Sequence, residues 1–307
     1  MSGVLLTAFS FMVLIALGYV LRSRGIVPDN TGAALKKILL DVTLPCAIVT
    51  NFSKLEHTDG QIFFIVLIGF ALSLAMVAFA AVTTRRKDRA RRAFDISNMP
   101  SYNIGAFCMP FVQGFLPAAG TVSVCAFDIG NSILCTGGTY AWASNYLDES
   151  TDGADWRSVA RSLVYNPPLI TNVAMLVLAA LQIRIPDVVV SFIAPAANAN
   201  SAVAMLMVGS LIRFEFKREY LVDGLRVIGA RHVLACIAAP LLYWLLPFDP
   251  AVRQGIVLAC FAPIPALGPP FTGMLGGDEG KAGAINSVSV ILAVIELTAI
   301  ITAMGLY

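Results

Sequence analysis

The chain has 307 residues, 58% of them apolar and only 13% charged, and its mean hydropathy is +0.79. A soluble domain averages about 25% charged residues, so this composition excludes an ordinary soluble fold and points to an all-α integral membrane protein. The formal net charge of +2 gives no reason to expect nucleic acid as a partner, and the six cysteines lie in apolar stretches without zinc-site or disulfide-framework spacing.

A spanning helix needs roughly 20 mostly apolar residues. Ten candidates follow one another at about 3–22, 31–52, 62–84, 93–115, 120–145, 167–183, 187–212, 225–246, 251–274 and 282–305. The first has its basic residues, Arg22 and Arg24, behind it rather than before it. It therefore reads as a retained helix and not as a secretory signal.

Lysine and arginine set the expected orientation. Eighteen of them fall in or beside the odd-numbered connections, among them Lys36 with the first, Arg85, Arg86, Lys87, Arg89, Arg91 and Arg92 in the third, and Arg231 with the seventh, against three (Lys54, Arg184, Arg253) in the even ones. Odd connections are expected in the cytoplasm and both termini outside, in a multi-pass protein of the cell inner (cytoplasmic) membrane.

The fourth candidate contains Ser97-Asn98-Met99-Pro100-Ser101-Tyr102-Asn103-Ile104-Gly105, and the ninth contains Ala262-Pro263-Ile264-Pro265-Ala266-Leu267-Gly268-Pro269-Pro270. Proline removes an amide donor and glycine weakens a helix. Lipid cannot satisfy the freed backbone, so broken helix at that depth must face protein or a watery cavity. Interrupted helices at matching places in two halves are the best sequence pointer to a transporter's binding site.

The halves are expected to be related. Ile26-Val27-Pro28-Asp29 matches Arg184-Ile185-Pro186-Asp187 at a separation of 158, and Pro110-Phe111-Val112-Gln113-Gly114-Phe115-Leu116 echoes Pro269-Pro270-Phe271-Thr272-Gly273-Met274-Leu275 at a separation of 159. Five helices per half implies opposite insertion, an inverted five-plus-five repeat. The expected units are 1–146, a cytoplasmic linker at 147–166, and 167–307. The linker opens with Asp148, Glu149, Asp152 and Asp155, and Trp156, Val159 and Leu163 have the spacing of a short interfacial helix.

Carboxyls at membrane depth are costly. Asp41, Asp128 and Glu296 are the candidates to couple transport to H+ or Na+, with Asn131 and Ser132 one turn from Asp128. Lys37 at i−4 offers Asp41 a local partner, whereas Glu296 has none in sequence. Substrate-binding candidates are Ser101, Tyr102, Asn103 and Gly105 at the first break, Pro263 and Ile264 at the second, and Asn198, Asn200 and Ser201 in the seventh span. Such amides and hydroxyls equally serve as glue between helices. With no arginine read deep in a span, the positive ends of the broken helices are the expected seat for an anion. No zinc-protease or phosphate-loop motif is present, so neither an enzyme nor a cofactor is expected. The two histidines, His57 and His232, read as solvated or structural.

Leu39-Leu40-Asp41-Val42-Thr43-Leu44-Pro45, Asn103-Ile104-Gly105 through Pro110, and Ala262-Pro263 carry a resemblance, over the whole length, to the auxin efflux carrier family, which includes the plant PIN exporters. Tyr102, Cys108 and Ile264 depart from residues common there. The resemblance implies two crossing broken helices, a transport domain that moves against a scaffold, and organic anions as substrates, with Asn103 and Gly105 at the first crossing and Pro263 at the second. The expected function is a secondary transporter of a small organic anion working by alternating access. A membrane sensor or non-transporting subunit is the alternative. The expected partners are that anion and the lipid bilayer, with a homodimer as candidate assembly.

Overall fold

The computed structural model describes residues 2–55, 60–144, 147, 156–213 and 217–306, and among them the secondary structure is entirely helical. The helix α1 is Ser2–Ser23, and α2 runs through Thr31–Ile38, a π-helical turn Leu39–Thr43, and Leu44–Ser53. Then come α3 (Gln61–Thr83) and α4 (Arg89–Asn98), followed by α5, whose π-turn Ile104–Cys108 continues into Met109–Val112. The helix α6 joins Ala118–Ile133, Leu134–Gly138 and Thr139–Ser144. The second half holds α7 (Trp156–Val164), α8 (Pro167–Ala180), α9 (Asp187–Leu211), α10 (Arg218–Leu245), α11 (Pro250–Cys260), α12 (Gly268–Met274) and α13 (Glu279–Ala303).

Among the described residues, six helices are long and apolar enough to cross a membrane: α1 from Leu5, α3, α6, α9, α10 and α13. The other four expected spans are shorter or interrupted. Span 31–52 carries a π-turn, 167–183 is the 14-residue α8, and 93–115 and 251–274 are each a pair of helices around non-helical backbone.

Local chemistry accounts for these shapes. Two of the π-turns end two residues before a proline, Pro45 and Pro110. Proline cannot donate to the carbonyl four residues back and its ring collides with it. A wider turn relieves both problems: the Met109 N–H closes on Ile104 O, and Leu44 N–H on Leu39 O. The helix α4 starts at Asp88, whose side chain accepts the Arg91 N–H at 2.8 Å, and it stops before Pro100. Pro263 and Pro265 likewise keep α11 from continuing past Cys260.

Helices approach closely where glycine allows it. A Cβ on Gly130 of α6 would lie 2.0 Å from the Val66 carbonyl of α3. Removing side chains from such contacts gains dispersion between helices where lipid supplies no hydrophobic drive. The core gathers faces of α2, α5, α6 and α9 around the fully buried Phe107, Phe111 and Phe127.

Candidate functional site

The two breaks meet. The amide of Asn103, the last residue of the first break, donates to the Pro263 carbonyl of the second at 3.0 Å. Asn98 Nδ2 at the end of α4 donates to Thr272 Oγ1 of α12 at 2.9 Å, a second bond from one interrupted pair to the other.

Ordering this non-helical backbone requires partners for its polar groups. Asn131 of α6 supplies two, its Oδ1 accepting the Tyr102 N–H at 2.9 Å and its Nδ2 donating to Tyr102 O at 2.8 Å. The α13 helix repeats the device on the other break. Ser289 Oγ accepts the Ile264 N–H at 3.1 Å, and Asn286 Nδ2 donates to Ile264 O at 2.9 Å and Pro265 O at 3.1 Å. Ser101, between the clamps, holds φ +66 and its Oγ is buried without a partner among the described residues.

Arg231 of α10 joins both breaks. Nη1 donates to Met99 O at 2.5 Å and Ser101 O at 2.7 Å, and Nη2 donates to Ala262 O at 2.9 Å and Pro263 O at 3.2 Å. These carbonyls trail from the C-terminal ends of α4 and α11, the negative ends of two helix dipoles. The guanidinium, 6% exposed, also lies 5.3 Å from the Tyr102 ring centroid. Counting Arg231 with a cytoplasmic connection was therefore wrong. It is the fourteenth residue of a 28-residue helix, about 20 Å along its axis.

With the carbonyl ends occupied, the amide end stays open. The first bond of α5 runs from Cys108 N–H back to Asn103 O at 3.0 Å. The amides of Ile104, Gly105, Ala106 and Phe107 thus have no acceptor among the described residues, as expected at a helix start. They adjoin a cavity of about 90 Å3 lined by Tyr102, Asn103, Ile104, Gly105, Ala106, Asp128, Ser132, Lys36, Asn166 and Pro265–Leu267. The Asn103 side chain, 6% exposed, makes no capping bond. Asp128, 8% exposed, accepts Asn131 Nδ2 at 3.0 Å on Oδ1, and its Oδ2 would stand 3.2 Å from a Cβ at Gly105. The second break offers less to an anion. Gly268 N–H is used on Pro265 O, and Pro269 and Pro270 have no donor to give.

Among the residues singled out from sequence, Tyr102, Asn103, Gly105 and Asp128 line the cavity together. Asn131 stands behind it as the clamp, and Ser101, Pro263 and Ile264 form its backbone frame. The α9 group lies elsewhere. Asn198 is exposed, Asn200 accepts from Thr43 Oγ1 at 3.1 Å, and Ser201 donates to Pro110 O at 2.6 Å. Asp41 is exposed and paired with Lys37 at 2.9 Å, the local partner its spacing indicates. Glu296 does have a partner, His232 at 2.5 Å, so His232 is not simply solvated. His57 and the acidic start of the linker lie outside the described residues.

Sequence reasoning missed Lys36, Arg231, His232 and Asn286. Lys36 and Arg231 were absorbed into the charge tally. Their positions inside apolar helical stretches, rather than their count, were the available signal.

The model of a family described as membrane transport protein matches residues 4–149. An uncharacterized transporter of Methanothermobacter thermautotrophicus is 21% identical over 247 residues, 79% of each chain. Over residues 4–149, the resemblance drawn from the sequence is borne out by the family match. With the six apolar helices, these similarities support a multi-pass membrane transporter.

Proposed function

We propose, from a chain that carries the pattern of the membrane transport protein family over residues 4–149, a secondary carrier of a small organic anion. The observation that carries this reading is the division of labour at the meeting of the breaks. Arg231 takes four carbonyls. The open amides of α5 then give the neighbouring cavity a positive floor, with Lys36 and the Asn103 side chain in its wall. A carboxylate is bound there by backbone donors and a helix dipole.

Asp128 is the coupling carboxyl in this reading. Ionised, it competes with the solute for the Gly105 end of α5; protonated, it yields that end. A proton therefore travels with the anion. The four shorter or interrupted helical units complete ten crossings, arranged as inverted repeats 1–146 and 167–307 joined by 147–166. The mirrored clamps, Asn131 on Tyr102 and Asn286 with Ser289 on Ile264, support that pseudo-symmetry. Alternating access then moves the interrupted helices against α1, α2, α8 and α9. Both termini face outward across the cytoplasmic membrane, as the basic connections indicate.

The test is a thermal-shift screen of the purified protein against small carboxylic acids, followed by flux of each stabilising acid into proteoliposomes. A solute that binds only the folded protein raises its apparent stability, and the rise grows with the logarithm of solute concentration above the dissociation constant. Asn103→Ala is expected to reduce binding and flux strongly while leaving membrane insertion unchanged. Stabilisation without flux would identify a sensor, and unchanged kinetics in Asn103→Ala would remove that residue from the site.

A further inference from the structure

His232 Nε2 of α10 lies 2.5 Å from Glu296 Oε1 of α13. The other ring nitrogen, Nδ1, lies 2.7 Å from the Ile228 carbonyl. A carbonyl has no hydrogen to give, so Nδ1 is the donor and keeps its proton as long as this contact stands. That settles the proton count at Nε2. One further proton must lie between Nε2 and Oε1, written either as imidazolium with carboxylate or as imidazole with carboxylic acid. Without it, a nitrogen lone pair faces an oxygen anion at hydrogen-bond distance, and the contact is repulsive.

The pair stands where such a proton can matter. It borders a cavity of about 290 Å3 between α10 and α13 that reaches Arg213 and Lys217 at its far end. It also borders a narrow space against the second break, shared with Arg231, Cys260, Pro263 and Ser289. Among the described residues, Glu296 is the one carboxylate in either lining. The nearest charge on α10 is Arg231, turned away onto the four carbonyls. The acids packed in from α4 and α10, Asp95 and Asp223, are tied to Arg226 and Lys281, and Arg226 lies about 9 Å back along the helix from His232. Both side chains of the pair keep surface in the cavity, at 32% and 27% exposure.

We propose that the His232–Glu296 contact is a one-proton site that latches α10 to α13 next to the meeting of the breaks. With the proton present, the latch is closed and Arg231 is held over its carbonyls. When the proton leaves for solvent, its bonding electron pair stays behind as a lone pair on Nε2 or Oε1, and the two helices part at this point. Use of the latch to drive a solute rests on the carrier reading; the latch itself does not.

The experiment therefore uses the full chain in lipid nanodiscs without solute. Spin labels at Val233→Cys and Ile295→Cys, both exposed positions beside the pair, report the α10–α13 distance in a Cys236→Ser background. Because the chain has two histidines, His57→Gln leaves His232 as the only imidazole for nitrogen-15 spectroscopy. From about pH 5 to 9, the label distance is expected to lengthen with rising pH, at the same midpoint as the His232 resonance. Glu296→Gln keeps a donor to Nε2 without a titrating proton, so the distance stays short at every pH. Glu296→Ala is expected to be long at every pH. A constant distance while His232 titrates, no titration of His232 in that range, or Glu296→Gln behaving like the native protein would each overturn the latch. Absence of flux in proteoliposomes with the latch transition intact would count against the carrier reading alone.

Discussion

Replacing Arg231 tests whether the guanidinium holds the protein together or holds the solute. Its four bonds to carbonyls span 2.5–3.2 Å, and the group is almost wholly buried. Hydrogen bonds to a charged group contribute about 1.5–3 kcal/mol each, and a buried acceptor left without a donor costs about 1–3 kcal/mol. Lysine keeps the charge but not the planar fork that reaches two carbonyls from each nitrogen. Arg231→Lys should strand at least one carbonyl and cost about 2–3 kcal/mol. At about 2 °C per kcal/mol for a chain of this size, that lowers the solute-free melting temperature by roughly 5 °C. Arg231→Met strands all four and should cost about 4 kcal/mol or more, with faster amide exchange at Tyr102, Asn103 and Ile264. The assay is thermal unfolding of purified protein without solute, with hydrogen exchange as the local readout. An Arg231→Met variant with native melting temperature and native exchange would refute the argument. A variant that lost only solute affinity would make Arg231 part of the binding site instead.

Other perturbations separate the binding surface from its support. Gly105→Ala puts a Cβ 3.1 Å from Leu44 Cδ2 and 3.2 Å from Asp128 Oδ2, so anion affinity measured by calorimetry should fall while the melting temperature changes little. Lys36→Met removes the cation lining the cavity and should weaken carboxylate binding about tenfold, or about 1.4 kcal/mol; unchanged affinity would exclude Lys36. Gly130→Ala collides with the Val66 backbone, so α3 and α6 must part, at a cost of about 1–3 kcal/mol in unfolding assays.

The interruptions in the fourth and ninth spans were legible because proline and glycine act through the backbone, and the backbone reads the sequence locally. Asn103 and Gly105 could be placed in the cavity for that reason. The Asp41–Lys37 pair was legible too, since i,i+4 geometry needs nothing beyond one helix. Arg231 was not legible. Its partners are main-chain carbonyls 31–32 and 130–132 residues away, which leave no side-chain signature. His232 and Glu296 are 64 residues apart and meet only when α10 packs beside α13. Asn200 and Ser201 mark the reverse case. They looked like ligands by residue type, but their bonds to Thr43 and Pro110 fasten α9 to α2 and α5.

The polarity of the crossing also bears on which solutes can use it. A broken helix exposes carbonyls on one side of the break and amides on the other, and an empty crossing with both sides open would suit cations and anions alike. Among the described residues, the one buried arginine at the crossing is committed to carbonyls from both breaks, so a cationic solute meets no open oxygen cage there unless it displaces a guanidinium with four bonds. On the amide side, α12 has little to offer because Pro269 and Pro270 lack donors. The binding asymmetry falls on α5, next to Asp128 and Lys36. A solute seated there interacts with one helix end, one lysine and one carboxyl. The cavity wall also includes Pro265–Leu267 of the second break, so parting the breaks would disturb the solute as well as the Asn103–Pro263 bond, the Asn98–Thr272 bond and the Arg231 contacts to Ala262 and Pro263. In the carrier reading proposed above, the interrupted helices move together and these bonds stay made. Arg231→Lys, which loosens that joint, is then expected to slow counterflow, and a faster exchange rate at fixed affinity would show instead that the breaks part during the cycle.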